Sequence, residues 1–253
     1  MSLQVTITGH GPDLVLLHGW GIPSGVWQAT AATLGSRFRV HCVDLPGYAG
    51  SAALGPYTAA QVVAQLSAAL PSAIACGWSL GGQLALQWAL QAPQQVQRLI
   101  LVATTPCFSR RADWRHGVDA ALLTQAAQAV TADASAFLTQ FAALIANGDT
   151  AERSLVRQMR DILAATPLTS PEALLAGLGW LAETDLRAQL SSLPMPALVI
   201  HGKQDAIAPP AAAAALAAAL PHARLQLMHG VGHAPFLSRP HEFAAQVLAF
   251  CDE

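Results

Sequence analysis

The sequence predicts an α/β protein, a mostly parallel sheet with helices on both faces, and three observations carry that expectation. Short apolar runs recur at Val5–Thr8, Leu14–Leu17, Phe38–Val43, Ala73–Cys76, Leu99–Ala103, Ala197–Ile200 and Leu225–Met228, and helical stretches separate most of them. Such alternation is the pattern of a parallel sheet layered by helices. At Gly77-Trp78-Ser79-Leu80-Gly81 an apolar run passes directly into a helical one, so a tight strand-to-helix turn is expected there. Between about Phe108 and Leu190 the alternation stops, and helical periodicity continues without a convincing strand. A helical insertion between sheet strands is the simplest account of that gap.

Each element has its own signal. Leu3 to Gly9 alternates polar and apolar residues, so a strand is expected there and no signal peptide. Leu14–Leu17 runs into the glycine-rich turn His18-Gly19-Trp20-Gly21, and Phe38–Val43 into the turn Asp44-Leu45-Pro46-Gly47-Tyr48. Ala73–Cys76 reads as a buried strand, and Leu80 to Leu90, rich in Ala, Leu and Gln, as a helix. In the gap, Ala120–Val130, Ala134–Ala146, Ala151–Ala164 and Pro171–Leu181 read as four helices. They are punctuated by Asn147-Gly148-Asp149 and Thr166-Pro167. Ala211 to Leu220 reads as a helix starting after Pro209-Pro210, too short to span a bilayer.

Composition narrows the function. The chain has 253 residues, enough for one large domain, and a net charge of −2, which disfavours a nucleic-acid partner. Cys42, Cys76, Cys107 and Cys251 are scattered without metal-type spacing, so reduced structural thiols in a cytoplasmic protein are expected. No phosphate-binding glycine loop or dinucleotide fingerprint occurs.

The chemistry centres on Ser79. Gly-x-Ser-x-Gly on a strand-to-helix turn is a nucleophile elbow, and its glycines avoid clashes with neighbouring strand and helix. A serine hydroxyl needs a base to take its proton and an acid to orient that base. His233 lies in the loop Gly230-Val231-Gly232-His233-Ala234-Pro235-Phe236, after the run Arg224 to Met228. Asp205 ends the turn after Ala197–Ile200. Both therefore sit just past strand C-termini, the edge where open α/β sheets build sites. His201 and His229 are rival bases, His201 reading as a structural strand-end residue, and Asp185 is a rival acid in a helical stretch. The backbone N–H groups of Leu80, after the nucleophile, and Trp20, after the early strand, are the candidate oxyanion donors.

Arg153, Arg157 and Arg160 fall at i, i+4 and i+7 of one expected helix, and Arg110, Arg111 and Arg115 cluster at the start of the insertion. An anionic partner is one reading, because arginine forks bind phosphate well. A solvated face is the other, since Glu152 is near and Asp161 lies four residues after Arg157.

These residues resemble the α/β-hydrolase superfamily across essentially the whole chain. Within it the chain is similar to the pimeloyl-[acyl-carrier protein] methyl ester esterases of biotin biosynthesis. The similarity rests on Leu16-Leu17-His18-Gly19-Trp20-Gly21, Val43-Asp44-Leu45-Pro46-Gly47, Gly77-Trp78-Ser79-Leu80-Gly81-Gly82 and Pro106-Cys107-Phe108-Ser109. Asp113-Trp114, Thr184-Asp185-Leu186-Arg187 and His233-Ala234-Pro235-Phe236 add to it. The resemblance implies the α/β-hydrolase fold with an all-helical cap inserted after the sixth strand. Residues 1–107 and 191–253 would form the core and 108–190 the cap. It implies hydrolysis of the methyl ester of pimeloyl-acyl carrier protein, and of short-chain esters, with Ser79, Asp205 and His233 as triad and Trp20 and Leu80 as oxyanion donors. Arg153 and Arg157 match positions that hold the carrier protein and its phosphopantetheine, and Arg160 matches a basic one. Two upstream basic positions are replaced by residues near Phe137 and Gln140. Phe141 matches an aromatic lining the acyl channel, and reads equally well as a packing residue within the cap. The expected partner is an acyl carrier protein, with no nucleic acid, no membrane, no metal and no cofactor, and the chain is expected to be a monomer. A general carboxylesterase, a lactonase, a C–C bond hydrolase and a non-catalytic binding protein on the same fold are the alternatives.

Overall fold

The computed structural model describes residues 3–55 and 57–253. Seven strands form one sheet: β1 (Gln4–Thr8), β2 (Asp13–Leu17), β3 (Arg39–Asp44), β4 (Ala73–Trp78), β5 (Val96–Val102), β6 (Ala197–Gly202) and β7 (Ala223–Met228). Their spatial order is β1-β3-β2-β4-β5-β6-β7. β1 runs antiparallel to β3, and every other pairing is parallel. β4 and β6 are buried at every position, because helices cover both faces and no polar side need alternate with an apolar one. The edge strands are the exposed ones: β1 has no fully buried residue, and β7 alternates along its length.

Helices α1 (Gln28–Leu34), α2 (Ala59–Ala69) and α3 (Leu80–Gln91) connect the first strands, and α7 (Pro210–Ala219), α8 (Pro235–Ser238) and α9 (Pro240–Cys251) accompany the last. Between β5 and β6 lie α4 (Ala120–Ala146), α5 (Glu152–Ala165) and α6 (Pro171–Glu183). Counted in chain order, the helical insertion thus follows the fifth strand of this chain. α7 begins at Pro210, inside the proline pair rather than after it. The fixed proline φ is already helical, and its missing N–H has no partner to lose in a first turn.

α4 joins the two helices expected over 120–130 and 134–146. Asp133, at φ −159° and ψ 94°, breaks it, and its carboxylate accepts the Ala136 N–H at 2.9 Å to start the second half. α4 is long and apolar enough to cross a membrane by length and composition. The break leaves two halves, each shorter than the roughly 20 residues a span requires. α6 starts where Ser170 Oγ accepts the Ala173 N–H at 3.1 Å, with Pro171 following in the first turn.

The two ends of the insertion meet. Cys107 and Asp185 form an isolated antiparallel bridge, and the Leu186 N–H donates to the Pro106 carbonyl at 2.9 Å. Arg187 pairs with Asp185 at 2.7 Å and Asp113 at 3.0 Å, and lies 5.3 Å over the Trp114 ring. Asp113-Trp114 and Thr184–Arg187, two segments of the sequence resemblance, therefore staple the stem on which the insertion stands.

Candidate active site

Ser79 leaves β4 and caps α3 with φ 55° and ψ −117°, a conformation that costs a non-glycine residue energy and persists only where the surroundings enforce it. Its N–H donates to the Val102 carbonyl at 2.9 Å, and its carbonyl accepts the Gly82 N–H at 2.9 Å and the Thr104 hydroxyl at 2.7 Å. A Cβ on Gly77 would stand 2.2 Å from the Gly81 carbonyl oxygen, and one on Gly81 would stand 2.5 Å from the carbonyl oxygens of Leu17 and His18. The elbow glycines are thus dictated by space, where strand, turn and helix cross in contact.

Asp205 is the third residue beyond β6 and is buried. Its Oδ1 accepts the N–H groups of Ile207 and Ala208, both at 2.8 Å. Its Oδ2 lies 2.8 Å from His233 Nδ1 and 3.0 Å from His201 Nε2. His201 Nε2 is also 2.9 Å from the Ala208 carbonyl. A carbonyl only accepts, so that nitrogen carries the proton and donates to both oxygens. Burial pushes the Asp205 carboxyl up, but His233 and His201 outweigh it and hold the group below the usual carboxylate range. His201 reads as a structural residue in the sequence, yet it touches the acid. Its four-residue spacing from Asp205 was the one available signal.

His233 is buried, and its carbonyl accepts the Trp78 indole N–H at 2.7 Å, which ties its loop to the elbow. With the Nδ1–H donating to Asp205 Oδ2, Nε2 is the nitrogen left for another group. The sequence rivals do not join this cluster. His229 is exposed, and Asp185 is committed to Arg187 and Arg111.

The turn after β2 is equally well held. His18 Nδ1 donates to the Gly19 carbonyl at 2.8 Å, and its Nε2 accepts the Leu45 N–H at 3.0 Å, an arrangement only the neutral ring allows. Burial lowers the His18 pKa, against smaller raising effects of the Gly19 carbonyl and Asp44. The Tyr48 hydroxyl accepts the Gly21 N–H at 3.2 Å, and Trp20 Nε1 donates to the Leu174 carbonyl of α6 at 2.8 Å. Leu80 opens α3, so its N–H has no carbonyl one turn earlier to meet.

A cavity of about 510 Å³ opens on Ser79 and Trp20. α4 supplies Phe137, Phe141 and Leu144 to its wall, α6 supplies Leu178 and Leu181, and Ile207 closes the side near Asp205. Among the described residues, none that lines it is charged. Phe141 meets Trp20 edge to face at 5.1 Å, and Phe137 does so at 6.0 Å. Phe137 and Gln140, standing where the resemblance places basic residues, line the same cavity.

Arg153, Arg157 and Arg160 are exposed on α5, and among the described residues none of them is in an ion pair, Arg157 with Asp161 included. Arg111 differs: it donates to Cys107 Sγ at 3.2 Å and to the Glu183 carbonyl at 2.9 Å, a role in the stem. Burial pushes the Cys42 thiol up to about 12 and the Cys251 thiol up to about 11, so neither competes with Ser79 as a nucleophile at neutral pH. Among the described residues no group of three or more His, Cys, Asp or Glu side chains gathers as a metal-holding set.

Comparison with known proteins bears on the family and the fold. The alpha/beta hydrolase family model matches residues 14–246. A pimeloyl-[acyl-carrier protein] methyl ester esterase of Nitrosomonas europaea is 44% identical over 96% of this chain and 97% of its own. One from Vibrio parahaemolyticus is 42% identical over 97% of this chain and 96% of its own. Among solved structures, an esterase from Exiguobacterium antarcticum superposes with a TM-score of 0.88 at 23% identity, over 99% of this chain and 96% of that one, which speaks for the fold.

Proposed function

The chain belongs to the alpha/beta hydrolase family, and we propose that it is a serine carboxylesterase that hydrolyses the methyl ester of pimeloyl-acyl carrier protein in biotin synthesis and also accepts short-chain esters. The observation that carries this reading is the buried Asp205–His233 pair at 2.8 Å, in a fold that holds Ser79 in a strained turn on the wall of an apolar cavity.

His233 Nε2 takes the Ser79 proton as Oγ attacks the ester carbonyl carbon. Asp205 fixes the Nδ1–H tautomer and stabilises the imidazolium that forms. The N–H groups of Trp20 and Leu80 bind the oxyanion, a contribution worth ~100- to 1000-fold per donor in comparable sites. Methanol leaves with the proton from His233. Water then gives a proton to His233 and attacks the acyl-enzyme, which releases the free carboxylic acid and returns the proton to Ser79.

The acyl chain occupies the cavity beside Phe141, where each buried methylene contributes about 0.8 kcal/mol. Helices α4 to α6 act as the cap over this cavity, on the core formed by 1–107 and 191–253. The unpaired Arg153 and Arg157 on α5 receive the acidic carrier protein and its phosphate, with Arg160 extending the same face. The protein works in the cytoplasm, in keeping with four unpaired cysteines.

Ser79→Ala and His233→Ala should each lower ester turnover by about three decades or more, and a serine-directed fluorophosphonate should label the parent and not Ser79→Ala. Parent-like turnover in either variant would refute the assignment. Arg157→Glu should weaken hydrolysis of the carrier-bound ester and spare p-nitrophenyl butyrate. Equal loss on both substrates would refute the docking role.

A further inference from the structure

Asp149 lies in the turn between α4 and α5, within the helical insertion, yet it is 6% exposed. Among the described residues its carboxylate has three hydrogen-bond partners, and all are donors. Oδ2 accepts the Gly232 N–H at 2.7 Å, and Oδ1 accepts the Ala151 N–H at 2.7 Å and the Ser238 hydroxyl at 2.8 Å. Gly232 immediately precedes His233, and Ser238 ends α8, which follows it. One carboxylate of the insertion thus grips the histidine loop on both sides.

Further bonds run along the same seam. The Thr150 N–H and hydroxyl donate to the Gly230 carbonyl at 2.9 and 3.0 Å. The N–H of His233 itself donates to the Ile145 carbonyl of α4 at 3.4 Å. The elbow holds the same residue from the other side, through the Trp78 indole and the His233 carbonyl. The backbone of His233 is therefore clamped between the insertion at its N–H and the elbow at its C=O.

The chemistry of the clamp requires a carboxylate. Two of the three partners are backbone N–H groups, which only donate, and they sit on different oxygens. An asparagine amide would turn its NH₂ toward one N–H or the other in either orientation. A buried carboxylate is expensive unless every oxygen is satisfied, as here.

We propose that Asp149 is a positioning residue for His233, and that through it the helical insertion belongs to the catalytic apparatus rather than merely covering it. The inference rests on the reading of His233 as the general base. Displacement of a catalytic group by ~1 Å can cost ~100-fold in rate.

The test uses the full chain and p-nitrophenyl butyrate, with Asp149→Asn, His233→Ala, their combination and Ser238→Ala. Melting is followed by circular dichroism, and the downfield imidazole N–H of His233 by proton NMR. For Asp149→Asn the expected result is a kcat about 10- to 100-fold lower, KM within about threefold, and a displaced or lost imidazole resonance. Asp149→Asn should add no further loss to His233→Ala. A kcat within about twofold of the parent would overturn the proposal. Equal fold losses in the parent and His233→Ala backgrounds, with the resonance unmoved, would also overturn it, because they mark a role in folding alone. Parent-like activity of His233→Ala would instead overturn the reading of the base. If Asp149→Asn does not fold, Ser238→Ala decides, with a several-fold lower kcat at unchanged KM expected and an unchanged kcat contradicting the clamp.

Discussion

Replacing Asp205 by asparagine should cost about four decades of kcat, and on the proposed triad the loss falls on the chemical step. Oδ1 accepts two backbone N–H groups, of Ile207 and Ala208, so the asparagine oxygen must take that position. The new NH₂ then replaces Oδ2 and faces His233 Nδ1 and His201 Nε2. His233 answers by moving its proton to Nε2, so that Nδ1 can accept. The nitrogen that should take the Ser79 proton then already holds one. The same tautomer reversal in the best-studied serine triad drops kcat by ~10⁴, equivalent to ~5.4 kcal/mol of barrier. Losing a hydrogen bond to a buried charged group also costs roughly 1.5–3 kcal/mol of stability, so the variant should melt lower but remain folded at 25 °C. Initial rates on p-nitrophenyl butyrate at saturating substrate give kcat, and circular dichroism confirms the fold. A folded variant within tenfold of the parent would refute the role given to Asp205.

Two further predictions test the surroundings. Phe141→Ala removes an edge-to-face contact with Trp20 and part of the cavity wall. It should lower kcat/KM for a hexanoate ester by about tenfold, near the roughly 1.6 kcal/mol of two methylenes that lose apolar burial, and spare the acetate ester. Equal loss on both esters would contradict an acyl-lining role. His18 is buried as the neutral ring with its pKa lowered from 6.5. Its contribution to stability is therefore present above pH 6.5 and is lost as pH falls below it, because the unfolded chain binds a proton the folded one resists, with a slope of up to about 1.4 kcal/mol per pH unit. Urea midpoints from pH 7.5 to 5 should show this slope in the parent and not in His18→Asn, and identical slopes in both would refute it.

The parts of this protein legible in sequence are those written in local signals. Apolar runs bounded by turns marked all seven strands to within a few residues, and the elbow and the two glycine-rich loops marked the sheet edge where Ser79, Asp205 and His233 lie. Two helices were expected where α4 runs, and the break at Asp133 agrees, since a capping carboxylate is a local device. Long-range contacts left no such mark. His201 reached Asp205 only once β6 and its following turn were built. Asp149 read as turn punctuation, because its partners Gly232 and Ser238 lie 83 and 89 residues away. The helix start at Pro210 differed by one residue, where proline is as well suited to open a helix as to precede it.

Whether this enzyme acts on a carrier-bound ester is read most directly from kcat/KM for pimeloyl-acyl carrier protein methyl ester against free p-nitrophenyl butyrate, with Ser79→Ala as the blank. A strong preference for the carrier-bound ester is expected, weakening with added salt and in Arg157→Glu. Turnover of the small ester alone, with no activity on the carrier-bound one, would contradict it and leave a general carboxylesterase on the same triad.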